Sequence, residues 1–69
     1  MTLPSEDRER LLVALRRVDP AEFRAQVRAV LAAYGEVTGA ATALRIASPT
    51  LAAWIAEDPA LAAGLELDP

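Results

Sequence analysis

The 69-residue chain is long enough for one small domain, and its composition excludes several classes of site. A domain of this size buries only about 60% of the surface that its unfolded chain exposes, so contact with a partner or a second copy would add stability. The chain contains no Cys and no His, which excludes a disulfide scaffold, a Cys/His metal site and catalysis by a thiol or an imidazole.

The composition predicts an all-α fold. Hydrophobic residues make up 54% of the chain but aromatic residues only 4%, and such a mixture of Ala, Leu and Val suits closely packed helices better than a sheet. The longest stretch without a charged residue, 46–56, is too short to span a bilayer. The N-terminus also lacks the basic-then-apolar pattern of a signal peptide. We therefore expect a cytoplasmic protein with no membrane partner.

The net charge of -3 is unevenly distributed along the chain. Residues 1–34 hold six Arg against five acidic residues, whereas residues 35–69 hold one Arg against five. Affinity for nucleic acid depends largely on neutralising phosphates with basic side chains. The second half of the chain therefore carries the wrong sign of charge for binding DNA.

Residues 1–34 predict two supporting helices, the first of which follows an extended lead-in at Thr2–Pro4. Ser5 is placed to cap this helix, which should run to about Arg17. The predicted apolar stripe of the helix consists of Leu11, Leu12, Leu15 and Val18.

The second helix has the clearest start signal in the sequence. Asp19 is the expected N-cap, Pro20 takes the first helical position, and Glu22 completes a capping box. Val18 and Phe23 could pack together across this start. Gly35 is the expected C-terminal cap. The predicted apolar face consists of Phe23, Val27, Val30, Leu31 and Tyr34.

Residues 35–57 show the spacing of a helix-turn-helix. Val37, Ala40, Ala41 and Leu44 lie on one face of a helix, and Leu51, Trp54 and Ile55 repeat this spacing after a break at 45–49. Because Trp54 is in register with Leu51, we expect it in the core rather than stacked on a nucleic acid base. Residues 58–69 follow as a short C-terminal helix, begun by Asp58-Pro59, and a tail. No linker divides the chain, so residues 1–69 should form a single helical domain.

A set of small, capping and core residues recurs within residues 35–62. Its members are Gly35, Thr38, Ala40, Ala41, Leu44, Ile46, Thr50, Leu51 and Trp54, followed by the sequence EDPAL at 57–61. In this spacing they resemble the helix-turn-helix of Fis-type DNA-binding proteins and of phage small-terminase-like domains. The resemblance implies a DNA-binding protein of regulatory, nucleoid or phage-packaging type, which docks its fourth helix in the major groove as an oligomer.

The chain departs from this family pattern at the positions that usually contact DNA. Arg45 replaces a turn glycine, so it must either adopt a left-handed conformation or close the turn differently. Ala47 and Ser48 stand where the pattern has Ser-Arg, and Ala52 and Ala53 stand where it often has Tyr and a basic residue. Bidentate reading of bases is then largely unavailable.

Five residues are candidates for contacting DNA, and each has a simpler explanation. Arg24 and Arg28, with Arg16 and Arg17, either form a basic ridge that binds phosphates or an acidic partner, or lie on a solvated helix face. Arg45 is either a phosphate contact or a tolerated surface substitution. Ser48 and Thr50 either bind a phosphate at a helix N-terminus or serve as caps. Any DNA binding should be weak and sensitive to salt.

The alternative hypothesis is a degenerate helix-turn-helix that binds another protein or a second copy of itself. Its predicted interface consists of Ala47, Ala52, Ala53 and Ala56, which leave a smooth apolar surface where the family contacts DNA. The acidic pairs Asp19/Glu22 and Glu57/Asp58 are explained by capping, so we expect no enzymatic activity. We also expect no cofactor, no metal and no small-molecule substrate.

Overall fold

The computed structural model describes the backbone of residues 5–67 and the side chains of residues 7–67. This part of the chain is helical and contains no β-strand, which confirms the predicted all-α class. The predicted lead-in at residues 2–4, the side chain of Ser5 and the last two residues of the tail lie outside the described residues. The elements are α1 (Ser5–Val18), α2 (Pro20–Tyr34), α3 (Val37–Leu44), α4 (Ser48–Glu57) and a 3-10 turn, η1 (Pro59–Leu61).

Local signals determine both ends of α2. The Asp19 carboxylate accepts a hydrogen bond from the backbone N–H of Glu22 at 3.1 Å, and Gly35 ends the helix at φ 73°, a left-handed conformation that favours glycine. The reciprocal half of the predicted capping box is wrong. The N–H of Asp19 donates to the carbonyl of Leu15 at 2.7 Å, because α1 runs directly up to this residue. The Glu22 carboxylate instead accepts from Gln26.

The core is built around α2, which packs against α1, α3 and η1. Phe23 of α2 and Trp54 of α4 meet edge to face, with ring centroids 5.4 Å apart. Trp54 is 6% exposed, so its predicted place in the core is confirmed. The buried residues are Leu12, Phe23, Val27, Leu31, Ala40, Ala41, Leu44, Ile46, Leu51, Trp54 and Leu61.

The connection between α3 and α4 depends on Arg45. This residue adopts the left-handed conformation, with φ 61° and ψ 42°, rather than closing the turn in another way. Its N–H donates to the carbonyl of Thr42 at 3.1 Å, and the N–H of Ile46 donates to the carbonyl of Ala41 at 3.0 Å. This pair of bonds is a Schellman motif. Burial of Ile46 stabilises the motif despite the cost of a non-glycine residue at positive φ.

Helix α4 begins at Ser48, but its N-cap differs from the prediction. Ser48 is the first helical residue, and the N-cap position belongs to Ala47, which has no side-chain oxygen. The prediction that Ser48 caps the helix is therefore wrong. Pro49 compensates in part, because it occupies the first turn without needing a hydrogen-bond acceptor for an N–H group.

Part of the predicted apolar stripe of α1 is also wrong. Leu12 is buried and Leu15 is partly buried, but Leu11 is 51% exposed and Val18 is 85% exposed. Val18 therefore does not pack against the buried Phe23 as expected. Because α1 packs mainly on α2, only one narrow side of the helix is covered.

Candidate functional site

The exposed side of α4 consists largely of alanine. Leu51 and Trp54 of this helix point into the core, and the opposite side is left to solvent. Ala47, which precedes the helix, is exposed as well. We define the alanine face as the four exposed residues Ala47, Ala52, Ala53 and Ala56.

The chemistry of the alanine face is restricted to methyl groups. Methyl groups neither donate nor accept hydrogen bonds, so this surface cannot recognise the polar edges of bases. Small side chains do let the axis of another helix approach to the short end of the 8–10 Å range that is typical of packed helices. The surface is therefore suited to close packing.

The N-terminal end of α4 carries three of the predicted DNA-contacting residues. Arg45 is exposed immediately before this end, and Ser48 and Thr50 are half-buried within the first turn. The N–H groups of Thr50 and Leu51 both donate to the carbonyl of Ala47, at 3.0 and 3.2 Å. The helix dipole and the guanidinium together make this end the more positive end of α4.

The C-terminal end of α4 is held by arginines from the two supporting helices. Arg24 of α2 bonds to Asp58, with Nη2 at 3.3 Å and Nε at 3.4 Å from the same carboxylate oxygen. Arg16 of α1 bonds to Glu57 at 3.1 Å. Asp58 also accepts from the backbone N–H of Ala60, so it caps η1.

Arg28 of α2 completes this set of contacts. Its Nη1 donates to the carbonyl oxygen of Ala60 in η1, a group that would otherwise depend on solvent. Arg24 and Arg28 therefore tie η1 and the end of α4 to α2. The structure assigns both side chains a structural contact that the sequence interpretation missed.

The structure does not bring the five predicted DNA-contacting residues together. Arg45, Ser48 and Thr50 lie at the start of α4, whereas Arg24 and Arg28 contact the segment that follows its last residue. The ten residues of α4 separate the two groups by about 15 Å along the helix axis. Three alanines of the alanine face, Ala52, Ala53 and Ala56, lie along α4 between these two ends.

Within residues 7–67, no three side chains of the types His, Cys, Asp and Glu are grouped so that they could hold a metal ion. None of the helices that the structure describes has the length and apolar character needed to cross a membrane. Comparisons with protein-family models, with curated proteins and with solved structures gave no match.

Proposed function

We propose that this chain is a small helix-turn-helix module that works through protein contact, with the alanine face of α4 receiving a helix of a partner. The turn at 45–47 and the packing of α3 on α4 support the helix-turn-helix interpretation. The observation that carries the functional proposal is the exposure of four alanines at the positions where related patterns place DNA-contacting side chains.

Packing of a helix on this surface needs little reorganisation. Alanine loses no side-chain rotamer freedom when it becomes buried, so the contact does not have to overcome that cost. The face is flanked by Arg45 at one end and by Glu57 at the other. A partner helix with an acidic residue and a basic residue at corresponding positions would bind in one direction only.

The charges near α4 argue against DNA as the main partner. Arg16 and Arg24 form ion pairs within the protein, and Arg28 bonds to a backbone carbonyl. DNA would have to compete for these groups before gaining any counterion release from them. Glu57, with a side chain 62% exposed, would also lie close to the phosphates when α4 enters a groove.

DNA binding is the second candidate, and Arg45 is the observation that favours it. An exposed guanidinium beside the N-terminus of α4, together with the hydroxyls of Ser48 and Thr50, is suited to one phosphate. In this case α4 would lie in the major groove and bind weakly, with oligomerisation adding several such contacts.

Fluorescence anisotropy with a mixed-sequence duplex at low and moderate salt separates the two candidates. The proposal expects no binding at moderate salt, and any binding at low salt should fall equally in Arg45→Ala and in the control Arg8→Ala, since each removes one positive charge. Affinity that persists at moderate salt and is lost specifically in Arg45→Ala would overturn the proposal in favour of DNA.

Site-specific photo-crosslinking tests the protein contact directly. A photoreactive amino acid at Ala53 should give an adduct of defined mass in the native cell, and the adduct should disappear when Ala52→Glu is added. Ala33, an exposed alanine on α2, is the matched control position and should give no such adduct. Equal adducts at both positions, or none at Ala53, would contradict the proposal.

A further inference from the structure

The segment that follows α4 is joined to the other helices mainly by side chains. We define the strap as residues 58–67, which begin after the last residue of α4. Among the described residues, every backbone hydrogen bond made by residues 59–67 stays within the strap. A segment without backbone bonds to its neighbours is able to open while those neighbours stay folded.

Leu61 is the apolar anchor of the strap. It has no exposed surface, and the 3-10 turn that contains it contacts both α2 and α4. Leu65 and Leu67 are only partly buried against the core. Helix α2, by comparison, buries three side chains and packs against three elements. Opening of the strap therefore exposes much less apolar surface than unfolding of the domain does.

Charged contacts add to this anchor. The strap contains Asp58 and Glu66 but no basic residue, and it lies against Arg24 and Arg28 of α2. One carboxylate oxygen of Asp58 lies 3.3 Å from Nη2 of Arg24, and the other accepts from the N–H of Ala60. The side chains of the ion pair are 43% and 25% exposed, so dissolved salt screens their attraction in part.

We propose that the strap opens as a unit while α1–α4 stay folded, and that ionic strength controls this opening. The strap pivots at the junction of Glu57 and Asp58, where the helix ends and the backbone turns to φ -134° and ψ 84°. Opening breaks the ion pair of Arg24 with Asp58 and uncovers the apolar surface of α2 and α4 beneath Leu61. Access to this surface therefore rises with salt. The strap lies outside the alanine face, so its opening does not rest on the proposed function.

Native-state hydrogen exchange of the full 69-residue chain, followed by NMR in increasing urea, tests the opening. The N–H groups of Leu61, Ala62 and Leu65 bond within the strap, and those of Val27 and Leu31 lie within α2. Relative to α2, the strap amides should show an opening constant at least about tenfold larger. Their opening should also respond weakly to urea, because it exposes little surface.

Two outcomes of this experiment would overturn the proposal. Opening constants and urea dependence that are the same in the strap and in α2 would show that the strap unfolds only with the whole domain. Strap amides that exchange as fast as those of a free peptide of the same sequence would show that the strap is not closed at all.

Two variants distinguish opening of the strap from unfolding of the domain. Gly35→Ala strains the end of α2, which stays folded when the strap opens. It should raise the opening constant of the α2 amides about fivefold and leave that of the strap amides unchanged. Arg24→Gln removes a contact that is lost in both processes, so it should raise both constants about two- to fivefold. An equal response of both sets of amides to Gly35→Ala would contradict the proposal.

Sodium chloride tests the control by charge. From low to high salt, the opening constant of the wild-type strap should rise about two- to fivefold. This response should largely disappear in Arg24→Gln and in Asp58→Asn, which keeps an oxygen to cap Ala60, and the double variant should match the single ones. Arg17→Gln removes an exposed arginine of α1 and should keep the response. If Arg24→Gln responds to salt as strongly as the wild-type chain, the ion pair does not control the strap and the proposal is wrong.

Discussion

The two supporting helices, α1 and α2, have similar lengths but different roles in the fold. They contain 14 and 15 residues, and both carry arginines as well as apolar residues at helical spacing. Helix α2 packs against α1, α3 and η1, whereas α1 packs mainly against α2. As a result, α2 buries Phe23, Val27 and Leu31 completely, and α1 buries Leu12 alone to that degree.

An apolar pattern identifies a helix face but not the number of neighbouring elements that will cover it. The same holds for the charges. Arg24 and Arg28 of α2 contact Asp58 and Ala60, whereas Arg10 and Arg17 of α1 are exposed and line a groove. A central helix uses more of its side chains to hold the fold together, and a peripheral helix leaves more of them exposed to solvent.

Truncating one leucine in each helix is the strongest test of this difference. Leu31→Ala in α2 should lower the free energy of unfolding by about 2–5 kcal/mol, because it removes a fully buried side chain and leaves a cavity. Leu11→Ala in α1 should lower it by less than about 1 kcal/mol. Urea denaturation followed by circular dichroism at micromolar concentration gives both values.

In a domain of this size, the larger loss should leave much of the Leu31→Ala chain unfolded without denaturant. Val18→Ala serves as a second control on α1, where no measurable change is expected because Val18 is 85% exposed. Equal losses for Leu31→Ala and Leu11→Ala would show that α1 is packed as fully as α2 and would remove the basis of the comparison.

The two acidic residues at the end of α4, Glu57 and Asp58, should also contribute differently to stability, but by a smaller amount. Asp58 bonds to Arg24 of α2 and also caps η1, while Glu57 bonds only to Arg16 of α1 among the described residues. Asp58→Ala should lower the free energy of unfolding by roughly 1–2 kcal/mol, through loss of the cap and of a half-buried ion pair. Glu57→Ala should cost less than about 0.5 kcal/mol, because its side chain is 62% exposed.

Thermal unfolding of the two variants at low and high salt separates the contribution of the ion pairs from that of the cap of η1. Salt screens exposed charges strongly and a backbone cap weakly. The small effect of Glu57→Ala should therefore vanish at high salt, and part of the effect of Asp58→Ala should remain. If both effects vanish together, the cap of η1 contributes nothing measurable.

Substitutions at the residues that end α2 and α3 should change the free energy of unfolding least. One of these substitutions should raise it and the other should lower it. Gly35 ends α2 at φ 73° and Arg45 ends α3 at φ 61°, a conformation that costs a non-glycine residue about 1 kcal/mol. Arg45→Gly should therefore raise the free energy of unfolding by about 0.5–1 kcal/mol. Gly35→Ala should lower it by about 1 kcal/mol for the reverse reason.

The effect of backbone conformation in these variants can be separated from the effects of side-chain contacts. A Cβ atom at Gly35 would meet no described atom within 4 Å, so the expected loss in Gly35→Ala comes from backbone conformation alone. Arg45→Ala retains a Cβ atom and removes only the guanidinium, so it should leave stability nearly unchanged. A gain in Arg45→Ala equal to that in Arg45→Gly would mean that the guanidinium, rather than the backbone, is unfavourable.

Much of the fold was predictable because its signals are local. Asp19, Pro20 and Gly35 determine the ends of α2 through hydrogen bonds within four residues, and the buried positions of Leu51 and Trp54 follow from the helical period. The prediction was wrong where an outcome depended on the preceding or following element. Asp19 uses its N–H for α1, and Ala47 takes the cap position that Ser48 was expected to occupy.

One part of the candidate site was predictable from the sequence and another part was not. The exposure of Ala52, Ala53 and Ala56 follows from the burial of the opposite side of α4. The contacts of Arg24 and Arg28 join residues that are 34 and 32 positions apart, so no periodicity within one helix could indicate them.

By itself, the sequence determined the all-helical class, the positions of the helices and the alanine composition of the exposed side of α4, because hydrogen bonding and side-chain period act over a few residues. Only the tertiary structure decided that Leu11, Val13 and Val18 of α1 remain exposed and that the arginines of α2 are engaged by the segment after α4. Burial and ion pairing depend on which elements meet in space, and in this domain α2 lies at the centre of those contacts while α1 lies at the edge.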